Sequence, residues 1–397
     1  TRLIYSLNLD TKKWSVSEFP TLPIAMSNFD AVIIENQYEE QELVCGSGYT
    51  EQTTKNIVQF YNFEQDVWRE TAFGYNFSGC PLFWLEQKND NGDDLVVVVG
   101  GQSAFYQSDK HQIFSGSGGL TFYGWNITPL WEINVTAGNV LQRYPLRPMN
   151  YSETELENEK RFMKTNFKAI HYPVTENDPE RGNLKTDFIA FGGTENVSAY
   201  NNAVVSYNLD SYVDTIDYTS RTSNTRCVVY PNTELPFGEC CVEYVDRIGD
   251  EDGNTRDVKR ALCIGGRYKA EITEIKKDED GNDITIKRQG YKLHNKINWL
   301  TLSTKQWAND FHPEIPIPRW NAGSIVLKDF EREIVVNEET GEKQKVKHDL
   351  LFLIGGRNEK GLLADVDVLN LTYNKWELDW LDFKNKKRPQ PKEGEMP

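Results

Sequence analysis

The sequence predicts an all-β protein assembled from repeats of one four-stranded antiparallel unit. Three recurring elements point to it. An apolar run ending in two glycines occurs as VVVVGG at Gly101, FIAFGG at Gly193, LCIGG at Gly266 and LFLIGG at Gly356, with the looser LVCGSG at Gly48. Each is followed by an octet: YNFEQDVW from Tyr61, INVTAGNV from Ile133, YNLDSYVD from Tyr207, LTLSTKQW from Leu300 and LNLTYNKW from Leu369. A sixth octet, LNLDTKKW from Leu7, opens the chain. Upstream of the glycine pairs sit NFDAVII from Asn28, NFSGCPLF from Asn76, NFKAIHY from Asn166, NAGSIVL from Asn321 and, less closely, PFGECCV from Pro236.

Taken in order, the Asn-led segment reads as strand a. A polar, acidic hairpin follows, as in ENQYEEQE from Glu35, KNDNGDD from Lys88, GDEDGN from Gly249 and NEETGEKQKVK from Asn337, where Asp-Gly and Asn-Gly are ordinary turn residues. Strand b is the apolar run. Its terminal glycines let the backbone turn where a side chain would collide with the next sheet. The octet supplies strand c, a tight turn and the start of strand d, whose Trp packs between sheets. Sheets of this kind cannot bury both faces alone, so they stack radially into a β-propeller.

The apolar run with its glycine pair and the octet closing on Trp resemble the kelch motif. The resemblance covers nearly the whole chain and implies a kelch-type β-propeller, related in fold to the central domain of galactose oxidase. The octet departs from the pattern at Val140 and Asp214, and Gly46-Ser47-Gly48 replaces a true pair. Five full blades are expected at about 23–73, 76–146, 160–219, 236–311 and 318–382, preceded by a partial blade at about 1–20 that supplies only strands c and d. That favours six blades closed by chain absent here or by a partial blade, with five blades and an extra hairpin as the alternative. Residues 383–397, rich in Pro and Lys, read as a tail or linker.

Composition narrows the function. With 397 residues and 38% apolar content the chain can bury a sizeable core. A net charge of −16 opposes nucleic acid and anionic lipid as partners, since both need clustered Lys and Arg. No apolar run approaches the roughly 20 residues of a membrane span. Absence of an initiator Met suggests a processed chain or part of a larger one.

Catalytic signatures are lacking. The five histidines (His111, His171, His294, His312 and His348) are scattered, so the paired His and Tyr ligands of a copper oxidase cannot be assembled from sequence. DEDGND, from Asp278 to Asp283, places its Gly and acidic residues wrongly for a calcium loop. The expectation is therefore a non-enzymatic binding or scaffold module with no cofactor and no metal, engaging a protein or glycan. The alternatives are an intracellular kelch adaptor and, behind it, an oxidase-like or other enzyme.

Binding residues are expected on the face of the b–c and d–a loops. Tyr49, Gln102, Thr194, Arg267 and Arg357, which follow the glycines, should ring the channel mouth. Arg267 and Arg357 would suit a carboxylate-bearing partner, or else pair within the chain. Two b–c loops carry long insertions, roughly 102–128 and 267–295. The first is rich in aromatics and adds Tyr106, His111 and Trp125 to the candidates. The second carries its own hairpin signal.

Six cysteines permit three disulfides. One bridge among Cys227, Cys240, Cys241 and Cys263 is the leading expectation. Cys45 and Cys80 complete the set. Six Asn-x-Ser/Thr sites, at Asn76, Asn126, Asn134, Asn150, Asn196 and Asn370, favour an extracellular glycoprotein over a cytoplasmic one. Asn76, Asn134 and Asn370 coincide with repeat positions and could be by-products of the motif.

Overall fold

In the computed structural model the protein is all β, built of several antiparallel sheets. The structure describes residues 2–46, 56–73 and 237–381, apart from 17, 27, 28, 278–280, 338 and 379, together with the strands and one turn between residues 77 and 230. The chain divides into two compact units, residues 1–232 with 389–397 and residues 233–388.

The first unit opens with the hairpin Ser6–Asn8/Lys13–Ser15. A sheet in the order a-b-c-d follows, made of Asp30–Glu35, Gln41–Gly46, Asn56–Asn62 and Val67–Phe73. Leu82–Lys88, Asp94–Val99, Trp125–Asn134 and Asn139–Pro148 repeat that order. So do Lys168–Pro173, Thr186–Phe191, Val204–Asn208 and Cys227–Tyr230. This last sheet corrects the expected boundary at residue 219, because its strand d is Cys227–Tyr230. The octet YNLDSYVD ends on Asp214 and lacks the Trp. Between strands c and d, Thr222–Thr225 pairs in parallel with Asn139–Pro148.

The second unit holds two four-stranded sheets. One is Cys241–Gly249, Thr255–Ile264, Ile297–Thr301 and Gln306–Ala308; the other is Gly323–Asn337, Glu342–Ile354, Val366–Asn370 and Lys375–Trp376. Their facing apolar rows make one core, in which Val245, Ile248, Leu262, Ile264 and Trp299 pack with Leu351, Leu353, Leu369 and Leu371. Each such side chain stabilises by about 1.5–3 kcal/mol when fully buried. The 267–295 insertion forms a ribbon, Arg267–Lys277/Asp283–Leu293, with Phe237–Gly238 as a third strand.

The octet has one geometry wherever it closes. Leu7 pairs with Trp14, Tyr61 with Trp68, Leu300 with Trp307 and Leu369 with Trp376. Its sixth residue is left-handed each time: Lys12, Asp66, Lys305 and Asn374 have φ of 54°, 52°, 55° and 49°. At its second position, Asn62 Oδ1 accepts from the N–H groups of Glu64 and Gln65, and Asn370 Oδ1 from those of Thr372 and Tyr373. These are Asx turns that pre-form the hairpin. Trp68 and Trp376 each donate Nε1–H to a proline carbonyl, Pro20 and Pro313, at 3.4 Å. Those prolines stand at the same distance past Trp14 and Trp307, so each octet Trp is tied to the linker leaving the preceding one.

The glycine pairs are required by conformation and by space. Gly265 and Gly266 have φ of +66° and +88°, and Gly355 and Gly356 have +64° and +93°. A Cβ on Gly265 would lie 2.6 Å from the Arg319 carbonyl oxygen, which belongs to the segment leading into the following sheet.

The cysteines differ from expectation. Cys45, Cys240, Cys241 and Cys263 are buried and form no disulfide. Register explains why Cys241 and Cys263 do not bridge: Cys241 pairs with Ile264 and Val242 with Cys263, so the two sulfurs alternate to opposite faces. Cys241 Sγ instead donates to the Ala322 carbonyl at 3.1 Å. The side chain of Cys227, and Cys80, lie outside the described residues. Asn370 is likewise corrected as a glycan acceptor. It is 1% exposed and its amide nitrogen donates to Glu377, which leaves no room for a sugar in the folded sheet.

Candidate partner-binding surface

In the second unit, the residues directly after the two glycine pairs converge on one indole. Arg267 lies with its guanidinium 5.0 Å from the Trp320 ring centroid, and that of Arg357 lies 5.7 Å from it. Arg267 also stacks on Tyr291, at 4.5 Å. Both distances to Trp320 are within cation–π range. The backbone fixes this geometry. Trp320 N–H donates to the Arg357 carbonyl at 3.0 Å, and Arg357 N–H returns the bond at 2.9 Å.

Arg319 locks the neighbouring turns. Its guanidinium is buried against Asp367, and its Nη1 donates to the carbonyls of Gly355 and Asp365 at 3.1 and 3.3 Å. Its own carbonyl accepts from Gly266 N–H at 2.8 Å. Burial pulls the Arg319 pKa down while Asp367 and Asp365 oppose that, and arginine remains charged throughout. One buried cation therefore holds both glycine turns and, through them, both surface arginines.

The two arginines are not equivalent. Arg267 is held in a two-point pair by Glu239, through Nε to Oε2 and Nη2 to Oε1 at 3.0 Å, so the intramolecular alternative applies to it. Arg357 is exposed and makes no ion pair among the described residues. It pairs across a small hairpin with Leu362, which is 79% exposed. Tyr291, Trp320, Arg357 and Leu362 thus present aromatic, cationic and aliphatic surface. Trp, Tyr and Arg are the residue types that supply most contact energy in protein interfaces.

The remaining candidates divide as follows. Gln102 pairs with Ser78, just as Arg267 pairs with Gly238 and Arg357 with Trp320, so three post-glycine residues occupy the same backbone position against the segment preceding strand a. Thr194 pairs with Tyr200 instead. Trp125 begins a strand and pairs through its backbone with Phe122. Asn126, Asn134 and Asn196 lie on strands opposite Thr121, Asn139 and Ala199. Tyr49, Tyr106, His111, Asn76 and Asn150 lie outside the described residues.

Sequence reasoning missed Trp320, Glu239 and Leu362. A signal existed for the first, since Trp320 stands immediately before the Asn321 that marks strand a. Glu239 and Asn321 are the same repeat position in the two sheets, and both are left-handed, at φ 59° and 52°. Among the described residues no His, Cys, Asp and Glu gather into a metal-holding group, and no helix is long and apolar enough to cross a membrane.

No protein-family model matches the chain, and no curated protein does. Among solved structures, one titled "Structure of YjhT" is similar over 94% of this chain and 90% of that chain, at 12% identity and a TM-score of 0.45.

Proposed function

We propose that this chain is a kelch-type β-propeller with five full blades and an opening half-blade at Ser6–Ser15, working as a non-enzymatic binding or scaffold module. Its b–c/d–a loop face engages a protein partner. The observation that carries this reading is Trp320, set between Arg267 and Arg357 beside the exposed Leu362. Charge supports a partner presenting a carboxylate next to an apolar side chain, because Arg357 is an exposed cation on a strongly acidic chain. Such a strip also stacks against a sugar ring, but its cations favour the protein.

The extracellular reading rests on the sequons Asn126, Asn150 and Asn196. A second reading, an intracellular adaptor, is favoured by Cys45 and Cys263, which are buried as thiols outside any disulfide. Burial pushes Cys45 up to about 12, so it stays a protonated, unreactive core residue at neutral pH.

A photo-crosslinking residue placed at Leu362, in the full chain expressed in its native cells, tests the surface. One discrete adduct is expected, lost when Trp320→Ala and Arg357→Glu are added and the melting temperature is unchanged. The same adduct in both chains, or none in either, overturns the reading.

A further inference from the structure

At the end of strand Thr255–Ile264 remote from its glycine pair lies a second cationic cluster. Arg260 shares a sheet face with Leu262 and Ile264 by strand alternation, and Arg256 lies beyond the register shift between Val245 and Arg247 of the paired strand. The Arg260 guanidinium lies 4.8 Å from the Trp299 ring centroid and 5.6 Å from that of Phe311. Arg256 lies 5.5 Å from the same Phe311 ring. Two guanidinium groups therefore converge on one aromatic side chain.

Neither has a carboxylate among the described residues. That is unlike Arg69, Arg247, Arg267, Arg288, Arg319 and Arg332, each of which is paired with one. The acidic neighbour in sequence does not help. Asp257 instead lines a cleft with Arg247, its partner across the strand pair, and with Tyr244, Asp246 and Lys259. Arg260 Nε and Nη1 are buried with no hydrogen-bond partner, while Arg256 is exposed. Burial, and then the like charge of Arg256, pull the Arg260 pKa down, which is the mark of an unrelieved cation pair. His312 next to them is neutral and adds no charge of its own at neutral pH.

The geometry points to an oxyanion site at Arg256 and Arg260 that takes a phosphate group, either free phosphate or a phosphate monoester. A dianion neutralises both cations and offers three acceptor oxygens to the exposed Arg256 fork and to Arg260 Nη2, the one Arg260 nitrogen outside the buried set, whereas a carboxylate carries one charge. The aromatic faces are already covered by the guanidinium groups, so the ligand is held through their N–H edges. Access is from the side of Arg256.

Calorimetric titration of the full chain with sodium phosphate and with sodium acetate tests this, using wild type, Arg256→Gln and, as a control on the other surface, Arg357→Gln. Arg256 is exposed, so its replacement leaves the core intact. Phosphate is expected to bind about tenfold or more tightly than acetate, to weaken about tenfold or more in Arg256→Gln, and to be unchanged in Arg357→Gln. No phosphate binding at about 10 mM, equal binding of acetate, or full binding by Arg256→Gln overturns the site. A phosphoserine peptide binding more tightly than free phosphate identifies a protein-borne ligand; equal binding identifies free phosphate, and the site stands in both cases.

Discussion

At the scale of single residues, His312 shows how burial fixes a protonation state. Asn374 donates its amide N–H to the Phe311 carbonyl at 2.8 Å, which turns its Oδ1 toward His312 Nδ1 at 2.6 Å. Nδ1 must then carry the proton, leaving Nε2 buried and unpartnered. Burial pushes this pKa down to about 4; the Asn374 bond opposes that and the charge of Arg260 adds to it. The unfolded value is about 6.5, so between these limits the unfolded chain binds the proton and the folded one does not. Stability is fully present above pH about 6.5 and falls by up to about 1.4 kcal/mol per pH unit down to pH about 4. Urea unfolding at pH 7, 6, 5 and 4 should show this loss, and His312→Gln should flatten that part of it. An identical pH profile in the variant would contradict the assignment. Nothing in the sequence marked His312, because its state depends on Asn374, far away in the chain. Arg267 was legible as a site but its partner Glu239 was not, since that pairing needs the ribbon to fold back on Phe237–Gly238.

Elements were the most legible level, and the octet shows why. Its turn is encoded locally by the Asx acceptor at position two and the left-handed residue at position six, and its packing by the Trp at position eight. All three signals lie within eight residues, so the hairpin is readable without tertiary information. The Trp is dispensable for the turn, since Ile133 pairs with Val140 in the octet that ends on Val140, whereas after the octet ending on Asp214 strand d is Cys227–Tyr230. That replacement strand has no local signature and was invisible. Asn370 also explains a false sequon, because Asn-Leu-Thr is here the turn itself. Asn370→Ala removes the one Oδ1 that accepts both turn hydrogen bonds and the donor to Glu377, and leaves that carboxylate with Arg332. A loss of about 2–3 kcal/mol is expected in denaturant unfolding, with the slope unchanged. A loss under about 0.5 kcal/mol would mean the turn is set by the backbone alone.

For the whole molecule, the sequence supplied the repeat and the sheets supplied the order a-b-c-d each time, but the closure of the repeats is a long-range property that no single octet encodes. Two compact units, 1–232 with 389–397 and 233–388, follow from the same linear repetition, because neighbouring sheets contact each other more than distant ones. The central claim is that all the repeats form one propeller whose loop face carries the Trp320 strip. Small-angle X-ray scattering of the purified chain tests it most directly. A single closed body of this length predicts a radius of gyration of about 21 Å and a single-peaked distance distribution. A clearly larger radius with a two-lobed distribution would contradict one propeller and leave the strip on an independent second unit.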